Sequence, residues 1–414
     1  MSEEIPREKT NVESKGSLKT VFRIEKQRFN WIDQGRGLVM FLLVLTEAMP
    51  SIWRNPNDTH FWTDNPAIKM LAAFFFDHPD KVAPYMNLYD IGVPAFFFII
   101  GLLMAVSFKN RIQKKGYGNA VLNAILRWGL IFVLGLLIIL FTWSEGIGGY
   151  KDVVEDNPDL VQVYMYVVSW DVIFSIGCVG LLSIPFIFLP NKARLIVAYA
   201  MMAFYQIMVF IPETYWRWYA IASVHGGVLG GIFVLTPILL VGSCLGEYFI
   251  MDKETPTPKK YKMMALLGLI NLAIGIGLWL IPGGFPNKRQ STMGYATISM
   301  AVVIGGLFFF IFLNLKKDRH TVILEAYGMN PFLVYAIAAI PTVLIGELFS
   351  FSDSEWFLEF TFQLILWIIV LAVVTLIVLL LYRKGKAIST TKIVLTLLVI
   401  LLPLGIVLKL LEVI

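Results

Sequence analysis

Charged side chains are scarce in this sequence. Asp, Glu, Lys and Arg make up 15% of its 414 residues, whereas soluble globular domains carry roughly 25%. Hydrophobic residues reach 57%, and the mean hydropathy is +0.73. This composition excludes an ordinary soluble enzyme and predicts that lipid surrounds most of the chain.

Cysteine is almost absent as well. Cys178 and Cys244 both lie inside apolar runs, so we expect neither a disulfide nor a metal site. The net charge of +5 is modest, and we expect no nucleic-acid partner. Residues 1–30 are polar and charged and show no apolar core of a cleavable signal peptide. They predict a disordered arm that stays in the cytoplasm.

Long apolar runs, by contrast, are abundant. A first run begins near residue 31, and ten more lie at roughly 90–108, 120–141, 167–189, 195–211, 228–250, 262–281, 293–313, 330–349, 360–382 and 391–411. They predict an all-α, polytopic membrane bundle of about 11 transmembrane helices (10 to 11). We expect residues 31–385 to form the main transmembrane domain and 386–414 to add a C-terminal transmembrane helix.

Basic residues predict the orientation of this bundle. The loops assigned to the cytoplasm hold seventeen Lys and Arg residues, among them Arg194 and Lys260, against seven in the outer loops. The N-terminus is therefore expected inside, and an odd number of spans would put the C-terminus outside. The expected location is the cell membrane, as a bacterial inner or plasma membrane.

Two carboxylates stand where the membrane should exclude them. Asp90 opens the apolar run 90–108, and Glu47 lies fourteen residues after Asp33, about 21 Å along a helix. A lone carboxylate at such a depth is expensive unless it is paired or functional. Asp90 has an alternative role as the N-cap of its helix.

Histidine is also rare, with four residues in all. A histidine near neutrality can take a proton from an attacking amine or hydroxyl, and a carboxylate nearby can orient it. His78 and His225 each precede a span with a polar mouth, whereas His60 and His320 suit plain loop positions. Glu47 and Asp90 are natural candidates to share a site with one histidine.

Four segments, taken in order, resemble one family. They are IDQGRGLVMFLLVLTE, HPDKVAPYMNLYDIGVPAFFFIIG, FPNKRQSTMGYATISMAVVIGG and AYGMNPFLVY. A fifth segment, HGGVLGGIFVLTPILLVGSCLG, fits more loosely. Together they are similar to the transmembrane acyltransferases that include heparan-α-glucosaminide N-acetyltransferase and its bacterial relatives.

The resemblance implies transfer of an acetyl group from cytoplasmic acetyl-CoA to an amine or hydroxyl of a sugar or glycan outside the membrane. His78 would be the general base or transient acyl carrier, with Asp90 and Glu47 orienting it, and with His60 and His225 as alternatives. The acceptor would meet Asn287, Lys288, His225 and Asn330. Because CoA is anionic, its phosphates would lie near Arg36, Arg127, Lys114 and Lys115. Asp33 is expected in the same CoA-binding region.

Other functions and simpler roles remain open at this point. A proton-coupled transporter or flippase of an envelope precursor would use Glu47, Asp90 and His78 as a proton relay. A membrane scaffold would use Asp33, Glu47 and Asp90 as interhelical hydrogen-bonding groups. Asn330 has an alternative role as a helix cap, and the chain is open to a homodimer.

Overall fold

The chain is described here by a computed structural model covering residues 30–47, 86, 89–142, 172–211, 216–217, 220, 225–281, 284–288, 290–317, 321–338 and 356–412. Helices make up almost all of these ranges, and no β-strand occurs within them. The all-α prediction is confirmed.

Twelve helical segments are used below, numbered in chain order. They are α1 Asn30–Glu47, α2 Gly92–Lys115, α3 Tyr117–Thr142, α4 Val172–Phe186, α5 Asn191–Phe210, α6 Gly227–Ile250, α7 Thr257–Trp279, α8 Met293–Lys317, α9 Val322–Met329, α10 331–338, α11 Trp356–Arg383 and α12 Thr390–Glu412.

The helices suit a membrane. Over the described ranges, seven of them (α2, α3, α5, α6, α7, α8 and α11) are long and apolar enough to cross a bilayer, and α4 and α12 contribute shorter apolar stretches. The chain is a polytopic helical membrane protein, as predicted. The expected number of spans and the cytoplasmic N-terminus stay predictions.

The centre of the bundle is the contact between α2 and α6, which are mostly buried. A Cβ atom on Gly246 would lie 1.9 Å from the carbonyl oxygen of Leu102, so only glycine permits this approach of the two backbones. Further pairs form between α3 and α4, α7 and α8, and α1 and α9. Little of α7 and α11 is buried, and both are apolar, as expected of a surface that lipid solvates.

Helix α6 is irregular near its start. A left-handed turn leads into it, with φ of 54° at His225, 70° at Gly226 and 58° at Gly227, the first residue of the helix. A π-helical turn, Gly231–Leu235, follows. Pro237 has no N–H to donate back along the helix, which favours a wider turn at this point. The irregularity lies where α6 meets the loop before α8.

Helix α2 defines two ends of the molecule. Asp90 lies just before its first turn, and Lys109 lies about 28 Å further along at 1.5 Å per residue. We call these the Asp90 end and the Lys109 end. The loop between α7 and α8 lies at the Asp90 end. Trp31 of α1, which packs on Phe249 of α6, lies at the Lys109 end.

Two cations that the sequence assigns to loops are buried instead. The Arg194 side chain is 0% exposed, and Lys260 donates to the carbonyl oxygens of Phe249 and Asp252. Both lie in the first turns of their helices, where main-chain carbonyls and one carboxylate receive them. The exposed carboxylate of Asp252 has a pKa below its usual value because it accepts hydrogen bonds from Thr255 and Glu254.

Candidate functional site

Asp90 lies in a short 3₁₀ turn, Tyr89–Ile91, directly before α2. The Nζ atom of Lys288 lies 3.4 Å from its Oδ1 atom, and the side chains are 12% and 0% exposed respectively. Ile91 occupies the N-cap position, and no side chain caps α2 there. Asp90 therefore does not occupy the N-cap position that the alternative assigned to it. Its carboxylate takes part in a buried ion pair.

The segment 284–288 and 290–292, which we call the Lys288 loop, is held by its own side chains. The Asn287 side-chain oxygen accepts the N–H of Gln290 at 2.8 Å, and the N–H of Asn287 donates to the Thr292 hydroxyl at 3.0 Å. Asn287 is 1% exposed. Its carboxamide oxygen is thus used within the loop and fixes the turn that presents Lys288.

Side chains of two neighbouring helices, α5 and α8, anchor this loop. The Tyr295 hydroxyl of α8 donates to the carbonyl oxygen of Asp90 at 2.7 Å, and the Tyr205 hydroxyl of α5 donates to that of Gln290 at 2.8 Å. The Gln206 side-chain oxygen accepts the N–H of Met293 at 2.7 Å. These buried contacts hold the Lys288 loop against the start of α2.

His225 joins the same end through its backbone. At Gly230, a Cβ atom would lie 2.3 Å from the carbonyl oxygen of His225 and 3.2 Å from the Cβ of Ser291. His225 and Ser291 both have positive φ, 54° and 49°. Such strain in non-glycine residues is often found at functional sites. The structure therefore brings His225, Asn287, Lys288 and Asp90 to one end.

Three other predicted residues lie wholly or partly outside the description. His78 and its alternative His60 fall outside the described residues. Glu47 is the last residue of α1, and its side chain is not among those described. Their predicted roles stay predictions.

Three arginines converge at the Lys109 end. Arg127 of α3 interacts electrostatically with Arg111 of α2 and Arg36 of α1. Arg36 pairs with Asp33 at 3.1 Å, as the spacing of three residues predicts. Within the described residues, Arg111 and Arg127 have no carboxylate partner. We call Arg36, Arg111 and Arg127 the arginine group. Lys114 and Lys115 are exposed nearby, at the end of α2, so the Lys109 end carries excess positive charge.

Asn330 lies at the Lys109 end rather than beside Asn287 and Lys288. Its side-chain amide donates to the carbonyl oxygen of Lys386 at 3.2 Å and its oxygen accepts the N–H of Ile388 at 2.7 Å. It separates α9 from α10, with φ −130° and ψ 58°. The predicted ninth span, 330–349, thus follows a helix that already begins at Val322.

Sequence reasoning missed a buried charge network at the Lys109 end. Arg194 donates to Glu247 at 3.1 Å and to Ser243 at 2.9 Å, and also to the carbonyl oxygens of Phe186, Ile187 and Leu189. Lys109 donates to the second oxygen of Glu247 at 2.7 Å. Glu247 ends an apolar run, and that unusual place is a signal that could have found it. The network ties α2, α4, α5 and α6 together.

Glu325 forms a second missed contact near the arginine group. It accepts from Gln34 of α1 at 3.4 Å and from the hydroxyl of Tyr382 in α11. Its distance from these partners in sequence is large, so no local pattern reveals it. The contact sets α1, α9 and α11 relative to one another.

No group of three or more His, Cys, Asp or Glu side chains suited to a metal occurs in the described ranges. Cys178 and Cys244 are free thiols. The polar groups described here form ion pairs and hydrogen bonds at the two opposite ends of the bundle. The guanidinium groups add excess positive charge at the Lys109 end.

Comparison with known families accounts for nearly the whole chain. The family model described as "Acyltransferase domain" matches residues 29–407. The match includes Asp90, Lys288 and the arginine group, and it extends through most of α12. No curated protein matches the chain.

Proposed function

The chain belongs to this family of membrane acyltransferases, and from that premise we propose that it transfers an acetyl group from acetyl-CoA to a sugar or glycan across the membrane. The heparan-α-glucosaminide N-acetyltransferase-like character expected from the sequence is part of this proposal. The observation that carries it is the separation of two polar sites along one buried helix.

The distance between the two polar ends matches the thickness of a membrane. Asp90 and Lys109 lie about 28 Å apart along α2, close to the roughly 30 Å thickness of the hydrocarbon core. A donor at one end and an acceptor at the other would thus meet the protein from opposite faces. By the distribution of basic residues, the Lys109 end faces the cytoplasm, where acetyl-CoA is made.

The Lys109 end suits the donor. CoA carries a diphosphate and a further phosphate, and guanidinium groups bind such oxygens with paired hydrogen bonds. Arg36, Arg111 and Arg127 together bring three positive charges, and Asp33 pairs with Arg36. Arg111 was not among the residues expected from the sequence. It joins the proposed donor site with Asp33, Arg36 and Arg127, and Lys114 and Lys115 extend its positive field.

The Asp90 end suits the acceptor. The Asp90–Lys288 pair, the backbone turn at His225 and the fixed turn at Asn287 surround one region. Lys288 supplies the countercharge that allows a carboxylate to remain at this depth. The ammonium and the neighbouring polar groups offer hydrogen bonds of the kind that sugar hydroxyls accept and donate.

The proposed reaction needs one base. The acceptor amine or hydroxyl attacks the thioester carbonyl carbon, the base takes its proton, the C–S bond breaks, and the CoA thiolate leaves and is protonated. His78 would be this base or a transient acyl carrier, with Asp90 and Glu47 orienting it. His225 is the alternative base, because it lies beside the Lys288 loop.

Ligand stabilisation of the purified protein tests the donor site. We expect acetyl-CoA and CoA to raise the melting temperature, because a ligand held at 100 times its dissociation constant stabilises the folded state by about 2.7 kcal/mol. Pantetheine, which lacks the phosphates, should have little effect. Arg111→Gln should weaken CoA binding, whereas Lys259→Gln, an exposed cation at the start of α7, should not.

Transfer itself needs a second measurement. Membranes with the wild-type protein and labelled acetyl-CoA should gain label in their carbohydrate fraction, and membranes with His78→Ala should not. Absence of CoA binding and of label transfer would refute the proposal. Proton-coupled flux of an envelope precursor without acetyl-CoA would instead support the transporter hypothesis.

A further inference from the structure

The connection between α11 and α12, residues 384–389, crosses the Lys109 end, and we call it the C-terminal strap. Its shape begins with the end of α11. The N–H of Gly385 donates to the carbonyl oxygen of Tyr382 at 2.9 Å, and that of Lys386 donates to Leu381 at 3.0 Å. Gly385 has a φ of 61°. This left-handed glycine turn directs the chain away from the axis of α11.

Asn330 fixes the strap from the side. The carboxamide of Asn330 is 2% exposed and forms two hydrogen bonds with the strap backbone, to the carbonyl oxygen of Lys386 and from the N–H of Ile388. A side-chain amide that both donates and accepts in this way imitates a neighbouring backbone. The strap is thus held in one position against the break between α9 and α10.

The far end of the strap reaches the arginine group. Thr390, the first residue of α12, accepts a hydrogen bond from the Arg127 guanidinium, with 3.4 Å between its Oγ1 and the Nη2 atom. Arg127 also lies over the ring of Trp128, 4.8 Å from its centre. Helix α12 packs along α3, which carries Arg127. The position of the strap therefore sets the position of one guanidinium.

The strap also adds charge of the same sign. Four exposed cations lie on it or within three residues of it: Arg383, Lys384, Lys386 and Lys392. Each of these side chains makes no ion pair within the described residues. Together with the arginine group they form a strongly positive rim, which favours a ligand with several negative charges.

We propose that the C-terminal strap forms one wall of the donor site, with Thr390 and Asn330 as positioning residues for the phosphates of CoA. This inference rests on the proposed function. It assigns Asn330, expected from the sequence to meet the acceptor, to the donor end. It also makes residues 386–414 an integral part of the enzyme rather than an added membrane anchor.

Competition binding measures this role. The wild-type protein in phosphatidylcholine nanodiscs is loaded with labelled acetyl-CoA, and unlabelled CoA or pantetheine displaces it. Thr390→Val removes the hydroxyl and keeps the shape, and Asn330→Ala removes both bonds to the strap. Thr396→Val is the matched control, since within the described residues the Thr396 hydroxyl donates to the carbonyl oxygen of Lys392 in the same helix.

We expect both strap variants to weaken CoA about tenfold, the loss associated with one hydrogen bond to a charged group. The inhibition constant of pantetheine, which binds weakly and is used at high concentration, should stay unchanged once the weaker tracer binding is allowed for, because pantetheine lacks the phosphates. A merely structural role would weaken both ligands together. The control should bind both ligands as the wild type does. If Asn330→Ala does not fold, Thr390→Val alone decides the question.

Four outcomes overturn the inference. Unchanged CoA binding in both strap variants would show that the strap is not part of the site. Equal weakening of CoA and pantetheine would show a general structural defect. Nanodiscs that contain phosphatidylglycerol distinguish lipid phosphate from CoA. If the variants keep CoA binding but lose the thermal stabilisation that these nanodiscs give the wild-type protein, the positive rim binds lipid phosphate. Failure of the wild type itself to bind CoA would refute the proposed function as well.

Discussion

Asp90 and Lys288 form an ion pair in a part of the protein that little water reaches. A carboxylate that is 0% exposed is tolerated when a cation lies beside it, because the pair exchanges its lost hydration for mutual attraction. Asp90 lies in the 3₁₀ turn before α2 and Lys288 in the loop before α8, so the fold brings together two segments that are far apart in sequence. Their proposed roles at the acceptor site depend on this contact.

Replacement of either partner should therefore destabilise the protein. We expect Asp90→Asn or Lys288→Met to lower the free energy of unfolding by ~3–5 kcal/mol, the usual loss when one buried charge loses its partner. The double variant should lose less than the sum of the two, with a coupling of roughly 0.5–3 kcal/mol. Denaturation in detergent measures all three variants.

Glu254→Gln is the control for this cycle, because Glu254 is an exposed acid of the α6–α7 turn. Label transfer by the three variants gives an independent reading. If the losses of unfolding free energy in the two single variants simply add in the double variant, the result would contradict the ion pair.

Arg194 shows a different use of buried charge. It reaches three carbonyl oxygens that follow the end of α4, where the last backbone groups of a helix lack partners. Its remaining donors meet Ser243 and Glu247. One side chain thus satisfies a helix end and joins it to α6. The composition of the 190–194 segment indicated only a basic loop.

At the scale of helices, the contact of α2 with α6 decides the separation of the two ends. The helices approach so closely at Gly246 that any side chain would collide with Leu102. Since α2 carries Asp90 and Lys109, and α6 carries the His225 turn and Glu247, a shift of one helix against the other would disturb both ends at once.

Gly246→Ala should consequently reduce stability by about 1–3 kcal/mol through overpacking. The matched control is Gly277→Ala in α7, where an added Cβ would meet nothing within 4 Å. That replacement should stabilise the helix by roughly 0.5–1 kcal/mol, because alanine loses less backbone freedom on folding. Thermal unfolding of both variants in one detergent makes the comparison. Equal effects would contradict the close contact.

Helix boundaries were predicted well for the apolar runs and less well at polar junctions. The runs 90–108 and 293–313 correspond to α2 and α8, which extend further into polar residues. Hydropathy locates the lipid-facing part of a helix but says little about turns beyond it. The run 330–349 predicted a helix start at Asn330, but it did not predict the hydrogen bonds of Asn330 to residues 386 and 388, because they depend on tertiary packing.

For the whole molecule, the proposal depends on which end faces the cytoplasm. Single cysteines introduced at Lys114 and Leu280, in a Cys178→Ala and Cys244→Ala background, test the orientation. Lys114 is exposed at the Lys109 end, and Leu280 is exposed just after α7. A membrane-impermeant thiol reagent should label the Leu280 position in intact cells.

Label at the Lys114 position should appear only after the cells are permeabilised. The reverse pattern would invert the predicted topology and put the arginine group away from cytoplasmic acetyl-CoA. Label at both positions in intact cells would show that the reagent crosses the membrane, and a bulkier reagent then replaces it.

The sequence by itself determined the class of the protein and its local contacts. Hydropathy and helical spacing act over a few residues, so they predict the all-α membrane bundle and the Asp33–Arg36 pair. The tertiary structure alone decided which distant groups meet. Tyr295 and Asp90 lie 205 residues apart, and Gln34 and Glu325 lie 291 apart. The meeting of Arg36, Arg111 and Arg127, the burial of Arg194 and the place of Asn330 likewise follow from helix packing, which no local pattern encodes.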